Sequence, residues 1–243
     1  MNHATSPSRT GLAGGRAPAI LAAAILAAAL PAGTHGQLVL DRGTFRLFVD
    51  GEEAGTEEFT IQRIGTGDAQ VTLARGTVSM RDGRTLTTVL RLESPAMVLN
   101  EYEATVTGTD TLVVRVVRRG DRLRTRTVAP WGEEMREYRA RTTTVLFDEG
   151  VAHHYFLLGR FLDGSSEPPR LHAFAPLSER EETAAGLSVG SETLVIDGER
   201  VEATRIGFGS DAGAGTAWFD GSGRLVRVSL PARGFAAERR FEG

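Results

Sequence analysis

The sequence predicts a mainly β fold: one large, curved antiparallel meander, forming a half-barrel or open barrel, with one short amphipathic helix near residues 150–162. Three observations predict this fold. Apolar and polar residues alternate with a period of two through most of the chain. Asp-Gly and other Gly-rich turns recur at a spacing of roughly 8–12 residues, which is typical of consecutive hairpins. A single apolar segment, at 150–162, interrupts both patterns.

The first 36 residues have the residue order of a secretory signal peptide, which would be removed. Arg9 and Arg16 precede a run of Ala, Leu and Ile that ends at Leu30, and helix-breaking Pro31 and Gly33 follow. The run is short for a bilayer span. We therefore expect cleavage between about Ala32 and Gln37, no stable transmembrane anchor, and a periplasmic or extracellular location in a bacterium.

Composition narrows the class of protein further. The chain has no cysteine, so it forms no disulfide, and for an exported protein this favours a bacterial periplasm over an animal extracellular space. The formal net charge is -3 and becomes more negative once the signal and its arginines are removed. A nucleic-acid partner is therefore not expected.

The predicted strands follow one another in a single domain, 37–243, which could divide only at the Gly/Ser/Pro-rich segment 163–169. Before the helix they span 44–49, 59–64, 70–80, 85–92, 97–106, 111–117 and 122–128. After the linker they span 170–175, 183–189, 192–196, 201–208, 216–219, 224–230 and 235–241. Turns such as Asp50-Gly51, Asp82-Gly83 and Asp197-Gly198 separate them, which predicts antiparallel neighbours.

The segment 150–162 has helical periodicity. Val151, Tyr155, Leu158 and Leu162 fall on one helical face, whereas His153 falls outside it. We expect Tyr155 and Leu158 to pack against the concave side of the sheet, and we expect replacement of His153 to cost little. A buried strand is the alternative interpretation of this segment.

Two stretches carry a family resemblance. They are the hairpin Trp218-Phe219-Asp220-Gly221-Ser222-Gly223-Arg224-Leu225 near the end of the chain and the opening stretch from Phe48 to Phe59. They resemble a group of exported bacterial domains of unknown function, which are similar in architecture to the periplasmic lipoprotein carrier LolA. The resemblance implies a strongly curved antiparallel sheet half-closed over a helix, and it implies no catalytic residue.

Candidate catalytic and metal-ligating residues are few. His153, His154 and His172 could bind zinc with Asp148 or Glu149 only if they converged, and adjacent histidines point in different directions on a helix or a strand. No Gly-x-Ser-x-Gly motif is present. Paired glutamates such as Glu57-Glu58 are expected to be solvated. We expect neither a metal nor another cofactor.

Arg122, Arg124 and Arg126 alternate and therefore project from one face of one strand. They could form cross-strand pairs with glutamates on a solvated face, or they could bind an anionic head group. The hypothesis that follows is a non-enzymatic periplasmic protein that binds a lipid-like or amphipathic ligand on the concave face. The lining would come from Tyr155, Leu158 and Leu162, with the three arginines beside it.

Two alternatives remain open. One is a structural or assembly module of the cell envelope without a ligand. The other is a hydrolase in which His153 or His154 acts with a carboxylate. A polar constellation at the floor of a pocket, with a histidine within hydrogen-bond reach of a carboxylate, would favour it. The oligomeric state is not predicted from the sequence.

Overall fold

A computed structural model describes residues 37–161, 170–210 and 213–241. The predicted signal peptide, Leu162 and the linker 163–169 lie outside these ranges. Within them, no helix has both the length and the apolar character that a membrane crossing requires.

The described chain is mainly β, as predicted. The strands are β1 (Gln37–Val49), β2 (Glu52–Ile64), β3 (Val71–Met80), β4 (Thr85–Glu93), β5 (Val98–Thr107), β6 (Leu112–Arg119), β7 (Arg122–Ala129), β8 (Gly132–Arg139), β9 (Thr144–Leu146), β10 (Leu171–Ala175), β11 (Arg180–Ile196), β12 (Glu199–Ser210), β13 (Gly213–Asp220), β14 (Leu225–Leu230) and β15 (Phe235–Arg240). Short 3-10 helices cover Gly67–Ala69, Pro176–Ser178 and Pro231–Arg233. A longer one, His153–Phe161, is called the interior helix below.

The strands form one sheet in the order β8-β7-β6-β5-β4-β3-β2-β1-β15-β14-β13-β12-β11-β10-β9. β1 and β15, the first and last strands along the chain, pair with each other in the middle of the sheet. The Asp-Gly turns work as the sequence predicts: Asp50 and Gly51 have φ of 50° and 84°, and Asp197 and Gly198 have 51° and 82°. Two consecutive positive φ values are what a two-residue hairpin with the natural strand twist requires.

One pair of strands departs from the antiparallel meander. β9, which the sequence did not predict, pairs in parallel with β10, with His172 opposite Thr144. A parallel pair needs a crossover connection, and the segment between these two strands carries the interior helix. All three β9 residues are buried, and the strand packs against β5. This end of the sheet therefore lies inside the curve formed by the rest.

The interior helix is the predicted helix, wound as a 3-10 helix rather than an α-helix. It contacts β3, β13 and β14, so it is enclosed by the sheet. Tyr155 and Leu158 are buried as predicted, at 3% and 0% exposure. The prediction that His153 lies outside the buried face was wrong: His153 and His154 are both 0% exposed. An amphipathic helix has one face that is exposed to water. Because the sheet encloses the start of the interior helix, no face is exposed there.

The concave side of the sheet holds the main core. Phe45, Leu90, Tyr102, Leu158 and Phe219 are each 0% exposed there. A smaller apolar cluster comprises Leu194, Ile196, Ala203, Trp218 and Val226, with Val201 and Phe241 packed against it. The β11–β12 hairpin carries part of this cluster, and its tip reaches β1, where Asp197 forms an ion pair of 2.7 Å with Arg46.

Candidate functional site

The first candidate site is a buried group of polar side chains, here called the interior polar cluster: Glu57, Tyr102, Asp148, His153 and His154. Glu57 and His153 form its first half, and both are 0% exposed. The Glu57 carboxylate accepts a hydrogen bond from Nδ1 of His153 and another from the backbone N–H of Ala152, the latter at 2.7 Å. Because Nδ1 of His153 is bound to Glu57, Nε2 is the ring nitrogen left for any other partner.

Asp148, Tyr102 and His154 form the second half. The Tyr102 hydroxyl donates to Oδ2 of Asp148 at 2.6 Å, and the backbone N–H of Leu177 donates to Oδ1 at 2.9 Å. The backbone N–H of Asp148 donates to Nδ1 of His154 at 3.4 Å. The imidazole rings of His153 and His154 pack edge to face, with centroids 4.6 Å apart, and this contact connects the two halves of the interior polar cluster.

Burial shifts the acid–base behaviour of this cluster. It raises the pKa of Asp148 to about 6, although the bonds from Tyr102 and Leu177 act in the opposite direction. Burial, and then the neighbouring His153, hold the pKa of His154 well below its usual value. Burial and the Asp148 carboxylate raise the pKa of Tyr102 well above its usual value. The cluster therefore favours a protonated Asp148 and a neutral His154 in weakly acidic solution.

The raised pKa of Asp148 predicts a pH-dependent stability. Between the ordinary value near 3.8 and the folded value near 6, the folded state holds a proton that the unfolded state has released. Unfolding free energy should therefore fall as pH rises through this window, by up to about 3 kcal/mol from this residue alone. His154 acts in the opposite direction, because the unfolded chain binds a proton below its ordinary pKa and the folded chain does not.

Comparison with Asp148→Asn isolates the aspartate contribution. Urea unfolding of both proteins at pH 4 and pH 7.5 should show the wild type losing stability relative to the variant as pH rises. An offset between the two proteins that stays constant over this range would contradict the prediction.

A glycine places the sheet directly against His153. A Cβ atom added to Gly76 on β3 would lie 2.5 Å from Cε1 and 2.7 Å from Nδ1 of His153. These distances are far below a normal contact, so the imidazole occupies the space that a side chain would fill. β2 and β3 pair across Gly76 without a register shift, so this glycine does not mark a bulge. Its role is to admit the histidine ring.

The chemistry available to the cluster is that of an oriented imidazole. A carboxylate that holds Nδ1 and leaves Nε2 free is the arrangement of a general base and its orienting group. Within the described residues, Nε2 of His153 and Nε2 of His154 have no hydrogen-bond partner. Both rings are fully buried, however, so the cluster as folded offers no surface on which a substrate could contact them.

The second candidate site is an open groove of about 1080 Å³, here called the outer groove. The outward-facing side chains that line it lie in two rows across the sheet. Strand register places Arg42, Thr60, Arg75 and Val89 side by side on β1, β2, β3 and β4. The next row is Arg240, Thr44, Glu58, Thr77 and Thr87. Gly76 also lines the groove, so the backbone of β3 separates the outer groove from His153.

The groove has an excess of positive charge. Five arginines and two glutamates line it. Arg239 is held by Asp41 at 2.7 Å, and Arg224 is held by Asp220 at 2.8 Å. Within the described residues, Arg42, Arg75 and Arg240 have no ion-pair partner, and all three are exposed. Since neighbouring strands lie about 4.8 Å apart, the Cα atoms of Arg42 and Arg75 are roughly 10 Å apart, and their long side chains can reach one anionic group.

The sequence-predicted site residues lie apart from the groove. Tyr155 and Leu158 are buried in the core, and Leu162 lies outside the described residues. The cavity beside Tyr155 has a volume of about 30 Å³, which is enough for roughly one water molecule. A ligand-binding role for Tyr155, Leu158 and Leu162 stays a prediction.

The predicted arginine stripe lies on the exposed face of β7. Arg124 pairs with Glu137 at 2.7 Å, and Arg126 pairs with Glu133 through two hydrogen bonds of 2.7 Å. The bonds from Arg126 hold the pKa of Glu133 below its usual range. These are the cross-strand Arg–Glu pairs of a solvated face, one of the two alternatives that the sequence left open. A ligand role for Arg122, Arg124 and Arg126 stays a prediction.

The three histidines do not converge. His172 contacts Arg141, away from the interior polar cluster. Over 37–161, 170–210 and 213–241, no three His, Asp or Glu side chains are placed to hold a metal ion.

Glu57 is a site residue that the sequence did not predict. The Glu57-Glu58 pair is expected from sequence to be solvated, which is right for Glu58 and wrong for Glu57. The signal was present in the alternation of β2, where Glu57 shares a face with buried Phe59 and Ile61. A carboxylate on the apolar face of a strand indicates a buried partner.

No protein-family model and no curated protein matches the chain. Among solved structures, the chain is similar to a β-barrel-like protein from Brucella abortus, described as a domain of unknown function, DUF1849. The two share 11% sequence identity over 82% of this chain and 94% of the other, with a TM-score of 0.48. The predicted similarity to the carrier LolA stays a prediction.

Proposed function

We propose that the protein is a non-enzymatic binding protein of the bacterial cell envelope, and that it binds an anionic amphipathic ligand in the outer groove. The observation that carries the proposal is the set of three exposed, unpaired arginines, Arg42, Arg75 and Arg240, in one groove. Arginine binds carboxylates and phosphates through paired, planar hydrogen bonds. The envelope location follows from the signal-like first 36 residues.

The groove suits a ligand with both polar and apolar parts. Thr44, Thr60, Thr77 and Thr87 supply hydroxyl groups beside the arginines. Val89, 38% exposed, and Phe241, half-buried, supply apolar surface at its walls. The volume of about 1080 Å³ matches the upper range of small-molecule sites. The proposal keeps the ligand class that the sequence predicts and moves its site from the concave face to the outer groove.

A titration with matched probes tests the proposal. The probes are a fluorescent fatty acid and its uncharged methyl ester, so that only the anionic group differs. In the triple variant Arg42→Gln, Arg75→Gln, Arg240→Gln, affinity for the acid should fall about tenfold, because three charge contacts are lost. Affinity for the ester should change much less. The loss should shrink as salt is raised, because exposed charges are screened.

The arginine stripe on β7 provides a comparison variant for the groove variant. The triple change Arg122→Gln, Arg124→Gln, Arg126→Gln removes the same charge from β7, where two of the three arginines already have glutamate partners. We expect this variant to bind both probes as the wild type does. A selective loss of the acid in the stripe variant would place the site on β7 instead. No binding of either probe by the wild type would leave the structural module as the better hypothesis.

A further inference from the structure

Strand β8 forms an open edge of the sheet. This strand pairs with β7 on one side, and no strand of the described residues pairs with its other side. Seven of its eight residues are exposed. At the opposite end of the sheet, β9 is fully buried. The sheet therefore presents one long edge to solvent, with free backbone donors and acceptors.

Large apolar side chains are concentrated at this edge. Met135, in the middle of β8, is 68% exposed, and Trp131, in the turn before it, is 79% exposed. Val128 on the facing strand is 36% exposed. These values indicate a contact surface, because an exposed Trp and an exposed Met on an open strand edge are features that soluble proteins usually avoid.

We propose that β8 pairs antiparallel with β8 of a second copy of this chain, about a two-fold axis at Met135. Opposite residues of an antiparallel pair lie on the same face of the sheet. In a symmetric pair of β8 strands that continues the sheet, the two-fold axis must therefore pass through a residue position. The residue at that position then lies opposite the same residue of the second copy. Of the four central residues of β8, Glu134, Met135, Arg136 and Glu137, only Met135 can face its copy without placing like charges opposite each other.

The charges around Met135 complement one another in this arrangement. Glu134 of each copy lies opposite Arg136 of the other. Within one chain these two residues already pair at 2.7 Å, and Arg136 also pairs with Glu179 at 2.6 Å, so the dimer adds a second opposite-charge neighbour to each Glu134. Glu133 lies opposite Glu137 of the second copy, and each of these carboxylates already has a guanidinium partner on β7, Arg126 or Arg124, at 2.7 Å. Charged edge strands normally prevent pairing, but the charges of β8 are ordered so that the antiparallel self-pair is the favourable one.

The absence of cysteine permits a direct test. Directly opposite residues in an antiparallel pair have Cβ atoms about 4.5–5.5 Å apart, and modest adjustment brings two cysteines there within disulfide range. In the otherwise cysteine-free chain, Met135→Cys should oxidise to a covalent dimer at low micromolar concentration. Val195→Cys is the matched control, because Val195 is 64% exposed on a strand but lies on β11. It should give little dimer.

Charge reversal tests the register without a covalent bond. By sedimentation velocity, the wild-type full chain should be dimeric at tens of micromolar. Glu134→Arg should weaken the dimer at least tenfold, because it places two arginines opposite each other, and the double variant Glu134→Arg, Arg136→Glu should restore it. A monomeric wild type, or cross-linking of Met135→Cys no greater than that of Val195→Cys, would overturn the proposal. Circular dichroism of each variant checks that it is folded.

Discussion

Replacing Glu57 with alanine should lower the unfolding free energy by about 3–5 kcal/mol, the cost expected when one partner of a buried pair is removed. The change leaves the His153 ring and the backbone N–H of Ala152 without their acceptor at a position that water does not reach. His153→Ala should also be costly, contrary to the expectation from sequence, because it leaves the Glu57 carboxylate buried without the imidazole donor.

The adjacent residue supplies the control for Glu57. Glu58→Ala removes the same carboxylate from an exposed position in the outer groove, and it should change stability by less than about 0.5 kcal/mol. Guanidinium unfolding curves of the three variants and the wild type provide the comparison. If Glu57→Ala does not fold, Glu57→Gln keeps one acceptor oxygen and should give an intermediate loss. Equal effects at Glu57 and Glu58 would show that the interior polar cluster does not form in solution.

Leu158→Ala should destabilise the protein by about 2–5 kcal/mol, because the residue is fully buried between the interior helix and the sheet. The loss combines the transfer free energy of the removed methyl groups with the cavity that they leave. Thermal unfolding followed by circular dichroism should show a clear drop in midpoint.

The control for Leu158 is an apolar residue at the surface. Val195→Ala removes methyl groups from a side chain that is 64% exposed, so it should have a small effect. A loss below about 1 kcal/mol for Leu158→Ala would mean that the interior helix is not packed against the concave face.

The stability of the interior helix bears on the proposed binding function. The helix carries His153, which lies behind Gly76, and Gly76 lines the outer groove. A variant that loosens the helix is therefore unsuitable as a control for ligand binding. The groove arginines Arg42, Arg75 and Arg240 are exposed on the other side of the sheet, so their substitution tests binding with little effect on folding.

Much of the fold was predictable because its causes are local. A positive φ at Asp50 and Gly51 makes a hairpin turn whatever the rest of the chain does, and alternation marks the strands on either side. β9 was missed because three residues are too few to show a period, and its parallel pairing with β10 depends on the crossover through the interior helix. The sequence did not show which residues lie opposite Arg124 and Arg126. It therefore left two alternatives open, cross-strand pairs with glutamates and a site for an anionic head group.

The sequence by itself determined most of the strands, the turns between them and the presence of a helix near 150–162, because each of these depends on neighbours within a few residues. Only the tertiary structure decided which polar groups meet. Glu57 and His153 are 96 residues apart in sequence, and they meet because the sheet curves around the interior helix and Gly76 leaves room for the imidazole. The outer groove likewise exists only through register, which brings Arg42 and Arg75 into one row and Arg240 into the next, on strands that include β1 and β15 at opposite ends of the described chain.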